Sequence, residues 1–105
     1  MDILQRIKRL VALGRYKATI KAEEELVADG LQVQDAVEAI LSARDIKKVL
    51  RSTSIWRSRA DEKLYVIEGV NFTGTLIYTK GAIKREEAGE VFYVLISSKI
   101  STPEY

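Results

Sequence analysis

The chain contains no cysteine and no histidine. That excludes disulfides, thiol nucleophiles, cysteine–histidine zinc sites and serine–histidine–aspartate catalysis together. Any chemistry must come from carboxylate, hydroxyl, phenol, ammonium and guanidinium groups. No closely spaced set of Asp and Glu argues for a metal site, so neither metal nor cofactor is expected. No apolar run approaches the roughly 20 residues needed to cross a bilayer. The N-terminus also lacks the apolar stretch of a signal peptide, and the expectation is a cytoplasmic protein with no membrane partner. There is a single proline and a single tryptophan, with no internal repeat, low-complexity tract or linker. What remains is a globular composition of 105 residues, 47% hydrophobic and 30% charged. One domain, 1–105, with its own core fits that length.

The net charge of +2 is unevenly distributed. Residues 1–43 carry six basic against seven acidic side chains, and residues 60–105 five against seven. Between them, Arg44, Lys47, Lys48, Arg51, Arg57 and Arg59 face Asp45 alone. A basic block with Trp56 inside it suits a polyanion such as RNA, held through its phosphates and by stacking. Lys47, Lys48, Trp56, Arg57 and Arg59 are the candidate RNA-binding residues. The plainer alternative is a solvated basic loop.

Periodicity predicts helices first and strands afterwards. Asp2 is a candidate N-cap for a helix with Ile3, Leu4, Ile7, Leu10 and Val11 on one face, closed by Gly14. A second helix is expected from about Tyr16 to Ala28, its Glu23-Glu24-Glu25 run a solvent face, with Gly30 ending it. A third spans about Val33 to Ala43. Four strands follow: Lys48 to Thr53, then, after a polar loop from Ser54 to Glu62, Leu64 to Val70, Thr75 to Lys80 and Val91 to Lys99. The tail from Ser101 is expected to fray.

Asn71-Phe-Thr-Gly-Thr75 reads as a hairpin connection of three residues, with Gly74 left-handed and Asn71 facing Thr75. That register sets Glu68 opposite Tyr78 and Val66 opposite Lys80. A second hairpin turns through Arg85 to Glu90 around Gly89. Pairing Lys84 with Val91 would bring Lys99 to the face of Tyr78 and Lys80.

Glu68, Tyr78, Lys80 and Lys99 stand where a purely structural sheet would carry apolar or small residues. Together with Arg51 they form the candidate catalytic set, suited to cleavage of RNA by its own 2′-hydroxyl. That reaction needs a base, cations for the phosphorane and an acid for the leaving 5′-oxygen. Glu68 would be the base if burial among Leu64, Val66 and Val70 raises its pKa. Arg51 offers a forked phosphate clamp, and Lys80 and Lys99 point charges. Tyr78 would orient the reacting group, stack on a base, or donate a proton if nearby cations lower its pKa. Taken singly, each has a structural explanation. Lys80 and Lys99 would guard sheet edges, Glu68 would pair with Lys80, and Tyr78 would pack on the sheet.

Several segments together carry a family resemblance. Gly14-Arg-Tyr-Lys-Ala-Thr19, Gly30-Leu31, Arg51-Ser52-Thr53, Gly74-Thr-Leu-Ile-Tyr-Thr-Lys80 and Leu95-Ile-Ser-Ser-Lys99 resemble the bacterial MqsR toxins and a related group of small domains. Both are allied to the RelE-like ribonucleases, and the similarity runs from about residue 5 to 100. The resemblance implies an α+β fold, with N-terminal helices packed on a C-terminal antiparallel sheet of about four strands, as in RelE-like and barnase-like ribonucleases. It implies a toxin-antitoxin system in which this chain is an mRNA interferase, an endoribonuclease cutting single-stranded mRNA. Its partners would be RNA and a cognate antitoxin protein, with homodimerisation as a further option.

Carried over by position, the family's strand-borne lysine falls on Arg51, its catalytic glutamine on Glu68, its tyrosine on Tyr78 and its late lysine on Lys99. Arg for Lys keeps the charge, and Glu for Gln adds a candidate base. An alternative placement puts the lysine on Lys48 and the glutamine on Arg57. The related domains often carry a histidine on the second helix, where this chain has Lys21. Two rival readings remain: a non-catalytic RNA- or protein-binding module on the same fold, and a subunit that accepts a partner segment along a strand edge.

Overall fold

Asp2 opens the first helix as its chemistry predicts. In the computed structural model, which describes residues 2–51 and 62–102, its carboxylate accepts the Gln5 amide at 2.8 Å. Helix α1 spans Ile3–Ala12 and buries Ile7 and Val11. The expected second helix divides in two. Tyr16–Ala18 forms a short strand, β1, and helix α2 (Ile20–Ala28) starts only after Thr19, whose hydroxyl accepts the Ala22 amide at 3.1 Å. The cause is tertiary. Tyr16, Lys17 and Ala18 pair in parallel with Tyr93, Val94 and Leu95, so distant strand partners override the local helical pattern. Helix α3 follows as Val33–Ser42.

The remaining strands are β2 (Lys48–Arg51), β3 (Lys63–Val70), β4 (Leu76–Arg85) and β5 (Val91–Ile100). They form one sheet with β1 in the order β1-β5-β4-β3-β2. Among the described residues the fold is therefore α+β, with five strands rather than four and a mixed rather than wholly antiparallel sheet. The expected loop before β3 lies outside the described residues except for Glu62, as do Ser52 and Thr53.

The helices cover one face. Ile67 and Tyr93 pack with Ile7, Val11, Val37 and Ile40, and Leu95 packs with Ala22, Leu26 and Ala36. Gly69 shows how close this contact is, because a Cβ there would lie 1.9 Å from the Ala39 carbonyl oxygen of α3. Residue 69 thus faces the helices. Alternation along the strand then turns Glu68 to the opposite, open face.

Both hairpins form, one as predicted and one with a correction. In the first, Glu68 pairs with Tyr78 and Val66 with Lys80. Gly74 is left-handed at φ +86, and the Asn71 amide donates to the Thr75 carbonyl at 3.0 Å. In the second, Lys84 pairs with Phe92, and Arg85 with Val91. This is one residue away from the expected register, and a one-residue slip exchanges the faces of a strand. The exchange is undone further along, where Gly81 pairs with Leu95 but Lys80 with Ser97. Ile96 is the extra residue of a β-bulge, and beyond it Lys99 lies directly opposite Tyr78.

Candidate functional site

The open face carries a row of three side chains on adjacent strands: Glu68 on β3, Tyr78 on β4 and Lys99 on β5. The Lys99 ammonium lies 5.7 Å from the centroid of the Tyr78 ring, within cation–π range. β2 adds Lys48 and Leu50 to the same face, because they pair with Val66 and Leu64. Together with Lys47, which precedes β2, and Leu76 they line a groove of about 540 Å³ that also takes in Glu68, Tyr78, Lys99 and Thr102.

Glu68 is held on both oxygens. Lys47 donates to Oε1 at 2.6 Å, and the Ser101 hydroxyl donates to Oε2. The Lys47 hydrogen bond, then that of Ser101, outweighs the desolvation that works the other way, and the carboxyl sits below its usual range. This overturns the expectation that burial raises it: Glu68 is ionised at neutral pH. The Tyr78 phenol moves in the opposite sense. Burial raises its pKa, the negative charges of Glu25 and Glu68 add to the effect, and Lys47 only partly opposes it. The net movement is upward, against the expectation that cations lower it, and Tyr78 keeps its proton.

Arg51 does not join the site. It pairs with Lys63 and so points to the face opposite the row, roughly 16 Å along the strands from Glu68 at the usual rise per residue. Lys48, the alternative placement, is the β2 cation that lines the groove. Lys80 pairs with Val66 and Ser97 on the open face, beside the groove but not among its lining residues. Trp56, Arg57 and Arg59 lie outside the described residues.

The structural explanations fare unevenly as well. Lys80 guards no sheet edge, since β4 is interior in the strand order, whereas Lys99 lies on β5 beyond its pairing with β1. Glu68 pairs with Lys47 rather than Lys80.

Sequence reasoning missed two contributors. Ser101 was expected to fray, yet its amide donates to the Leu76 carbonyl at 2.9 Å and its hydroxyl reaches Glu68. Glu25 was expected to face solvent. Instead its Oε1 accepts the Ser97 hydroxyl at 2.8 Å and the Ser98 amide at 3.3 Å. The available signal was the Ser97-Ser98 pair inside an otherwise apolar strand, two small polar residues that require partners when buried.

Chemically, the row offers an ionised carboxylate, a protonated phenol and an ammonium within one groove. Among the described residues no group of three or more Asp or Glu side chains could hold a metal ion, and no helix is long and apolar enough to cross a membrane. No protein-family model, curated protein or solved structure matches the chain.

Proposed function

We propose that the groove binds single-stranded RNA and cleaves it through the RNA's own 2′-hydroxyl. This is the activity of a metal-independent endoribonuclease toxin of the MqsR-like and RelE-like kind, neutralised by a cognate antitoxin. The observation that carries the reading is the row Glu68–Tyr78–Lys99, in which one environment drives two titratable groups apart. Groups separated in this way are the natural acid and base of a site. The Glu68 carboxylate takes the 2′-hydroxyl proton as that oxygen attacks phosphorus. The Tyr78 phenol gives its proton to the departing 5′-oxygen, leaving a 2′,3′-cyclic phosphate. Lys99 and Lys48 offset the charge of the phosphorane, with each charge-directed contribution large in a partly desolvated groove. The five-stranded arrangement, with helices on one face and chemistry on the other, supports a RelE-like ribonuclease fold.

A base held below its usual pKa is a weak one, so turnover is modest and nearly flat across neutral pH. The engagement of both Glu68 oxygens favours one rival, RNA binding without cleavage. Incubation of the purified protein with a defined RNA, followed by end mapping, separates the two. The proposal expects cyclic phosphate ends that disappear in Tyr78→Phe and fall sharply in Lys99→Ala. RNA retained in a salt-sensitive complex yet left intact would establish the binding module instead.

A further inference from the structure

Among the described residues, the outer edge of β5 beyond Leu95 has no strand partner, because β1 ends at Ala18. This is the stretch that carries Lys99. Helix α2 closes the gap. The Thr19 amide donates to the Leu95 carbonyl at 3.0 Å, and the Thr19 hydroxyl donates to the Ile96 carbonyl of the bulge at 3.2 Å. Two carboxylates one helical turn apart then take the amides that a neighbouring strand would have satisfied. Glu25 accepts from Ser98, and Asp29 accepts from Ile100 at 2.8 Å. Residues 98 and 100 flank Lys99, so α2 fixes the backbone on both sides of it.

The two carboxylates are not equivalent. Asp29 meets only backbone here, whereas Glu25 also takes the Ser97 hydroxyl on the open face. Burial works to raise the Glu25 carboxyl. The Ser97 hydroxyl, Lys21, the Ser98 amide and Lys99 together outweigh it and hold the carboxyl below its usual range. Glu25 is therefore a fixed negative charge felt by Lys99 and by Tyr78 alike. Among the described residues, the charged groups that act on Tyr78 are Glu68 from β3, Lys99 from β5, Lys47 from before β2 and Glu25 from α2. Glu25 is the one supplied by the helical layer, and it lines no part of the groove.

We propose that Glu25 is a positioning residue for the open-face site: it anchors the strand end that carries Lys99 and supplies the negative charge that Lys99 and Tyr78 share. The inference rests on the ribonuclease reading for its catalytic consequence, but not for its electrostatic one. A helix on the far side of the strand edge thereby places a charge beside a groove it does not enter. Loss of the Glu25 charge leaves Tyr78 a more acidic phenol and Lys99 without its counter-charge. Loss of the whole side chain also frees Ser97 and the Ser98 amide.

The test uses the full chain with tyrosine labelled at the ring carbon bearing the hydroxyl. Carbon NMR follows each phenol through its titration, and Tyr78→Phe identifies the Tyr78 signal. Glu25→Gln keeps an acceptor for Ser97 and Ser98 while removing the charge, and it should move the Tyr78 midpoint to lower pH. Glu24→Gln, on the exposed side of the same helix, should leave it in place. In RNA cleavage, Glu25→Gln should lower kcat by roughly tenfold with KM unchanged, and Glu25→Ala by up to about a hundredfold, as expected for a displaced catalytic group. An unmoved Tyr78 midpoint in a folded Glu25→Gln protein overturns the proposal. So does a moved midpoint with unaltered cleavage. If the wild-type protein cuts no RNA, the ribonuclease reading fails by itself, and the Tyr78 midpoint alone then decides the role of Glu25.

Discussion

Two neighbouring rows cross the same three strands, one residue apart, and meet opposite fates. Ile67, Thr79 and Ser98 face the helices and are fully buried. Glu68, Tyr78 and Lys99 face the groove. On the buried row the polar groups are small and are satisfied by carbonyls of the sheet itself. The Thr79 hydroxyl donates to Ile67 at 2.7 Å and the Ser98 hydroxyl to Tyr78 at 2.9 Å. On the open row the polar groups are longer, and the Glu68 carboxylate is satisfied by side chains from outside the central strands, Lys47 and Ser101, while the charge of Glu25 acts on Tyr78 and Lys99. The difference teaches how a sheet keeps a charged site beside its core. Polar groups buried against the helices must be short enough to reach a backbone carbonyl. Charges must sit where water and counter-charges share their solvation.

The bulge at Ile96 returns Lys99 to the open face after Leu95. The harshest way to break the comparison is to put a charge on the buried row. Thr79→Lys would bury an ammonium without a partner beneath the helices, where Thr79 is fully enclosed. The loss should match the whole stability of a small domain, on the order of 5 kcal/mol or more. Circular dichroism should find the Thr79→Lys variant unfolded, and a folded, cooperative variant would show that the two rows do not differ in what they tolerate.

Next in size is a pair of substitutions, one from each row. Ile67→Ala should cost about 3 to 4 kcal/mol in urea unfolding, because a fully enclosed side chain leaves a cavity under α3. Tyr78→Phe should change stability little yet reduce RNA cleavage by about a hundredfold or more, the loss expected for a general acid. Equal stability losses for the two would erase the distinction between the faces.

Two smaller effects sharpen the picture of the open face alone. Lys48→Ala should weaken RNA binding and lower the slope of log affinity against log salt by about 0.7, one phosphate contact fewer on a single strand. An unchanged slope would remove Lys48 from the RNA path. The smallest effect concerns pH. Glu68 has a folded-state pKa below its unfolded one, so its contribution to stability is present above the unfolded value near 4.3. That contribution is lost as pH falls through the folded-state value. Thermal unfolding between about pH 6 and 3 should therefore decline less steeply in Glu68→Gln than in the wild type. Parallel curves would mean that the Lys47 and Ser101 contacts do not bias the carboxyl.

Legibility in the sequence followed the range of the interactions. Asp2, Gly14, Gly30 and the Asn71-to-Thr75 turn act within a few residues, and each behaves as its local chemistry predicts. The first hairpin register followed from its turn, and with it the pairing of Glu68 with Tyr78. Tyr16–Ala18 defeated the same reasoning, since its strand partners lie more than 70 residues away. Arg51 was assigned to the site for its guanidinium and by likeness to a motif. Its face is decided by pairing with Lys63, which a motif does not encode. Lys47 was singled out for RNA by its charge, but its hold on Glu68 reverses the direction in which that carboxyl was expected to move.

By itself the sequence determined the class of fold, the local caps and turns, and the chemical vocabulary of the site, which is limited to carboxylates, hydroxyls, phenols, ammonium and guanidinium groups. These follow from composition and from forces acting over one turn or one hairpin. The tertiary structure alone decided which cation meets which anion, which carboxylate lies near the phenol, and on which face Lys99 stands. Those outcomes depend on a single extra residue in β5 and on a helix docked along its edge. Charge interactions vary steeply with separation and solvent exposure, and both are fixed only when distant segments pack together.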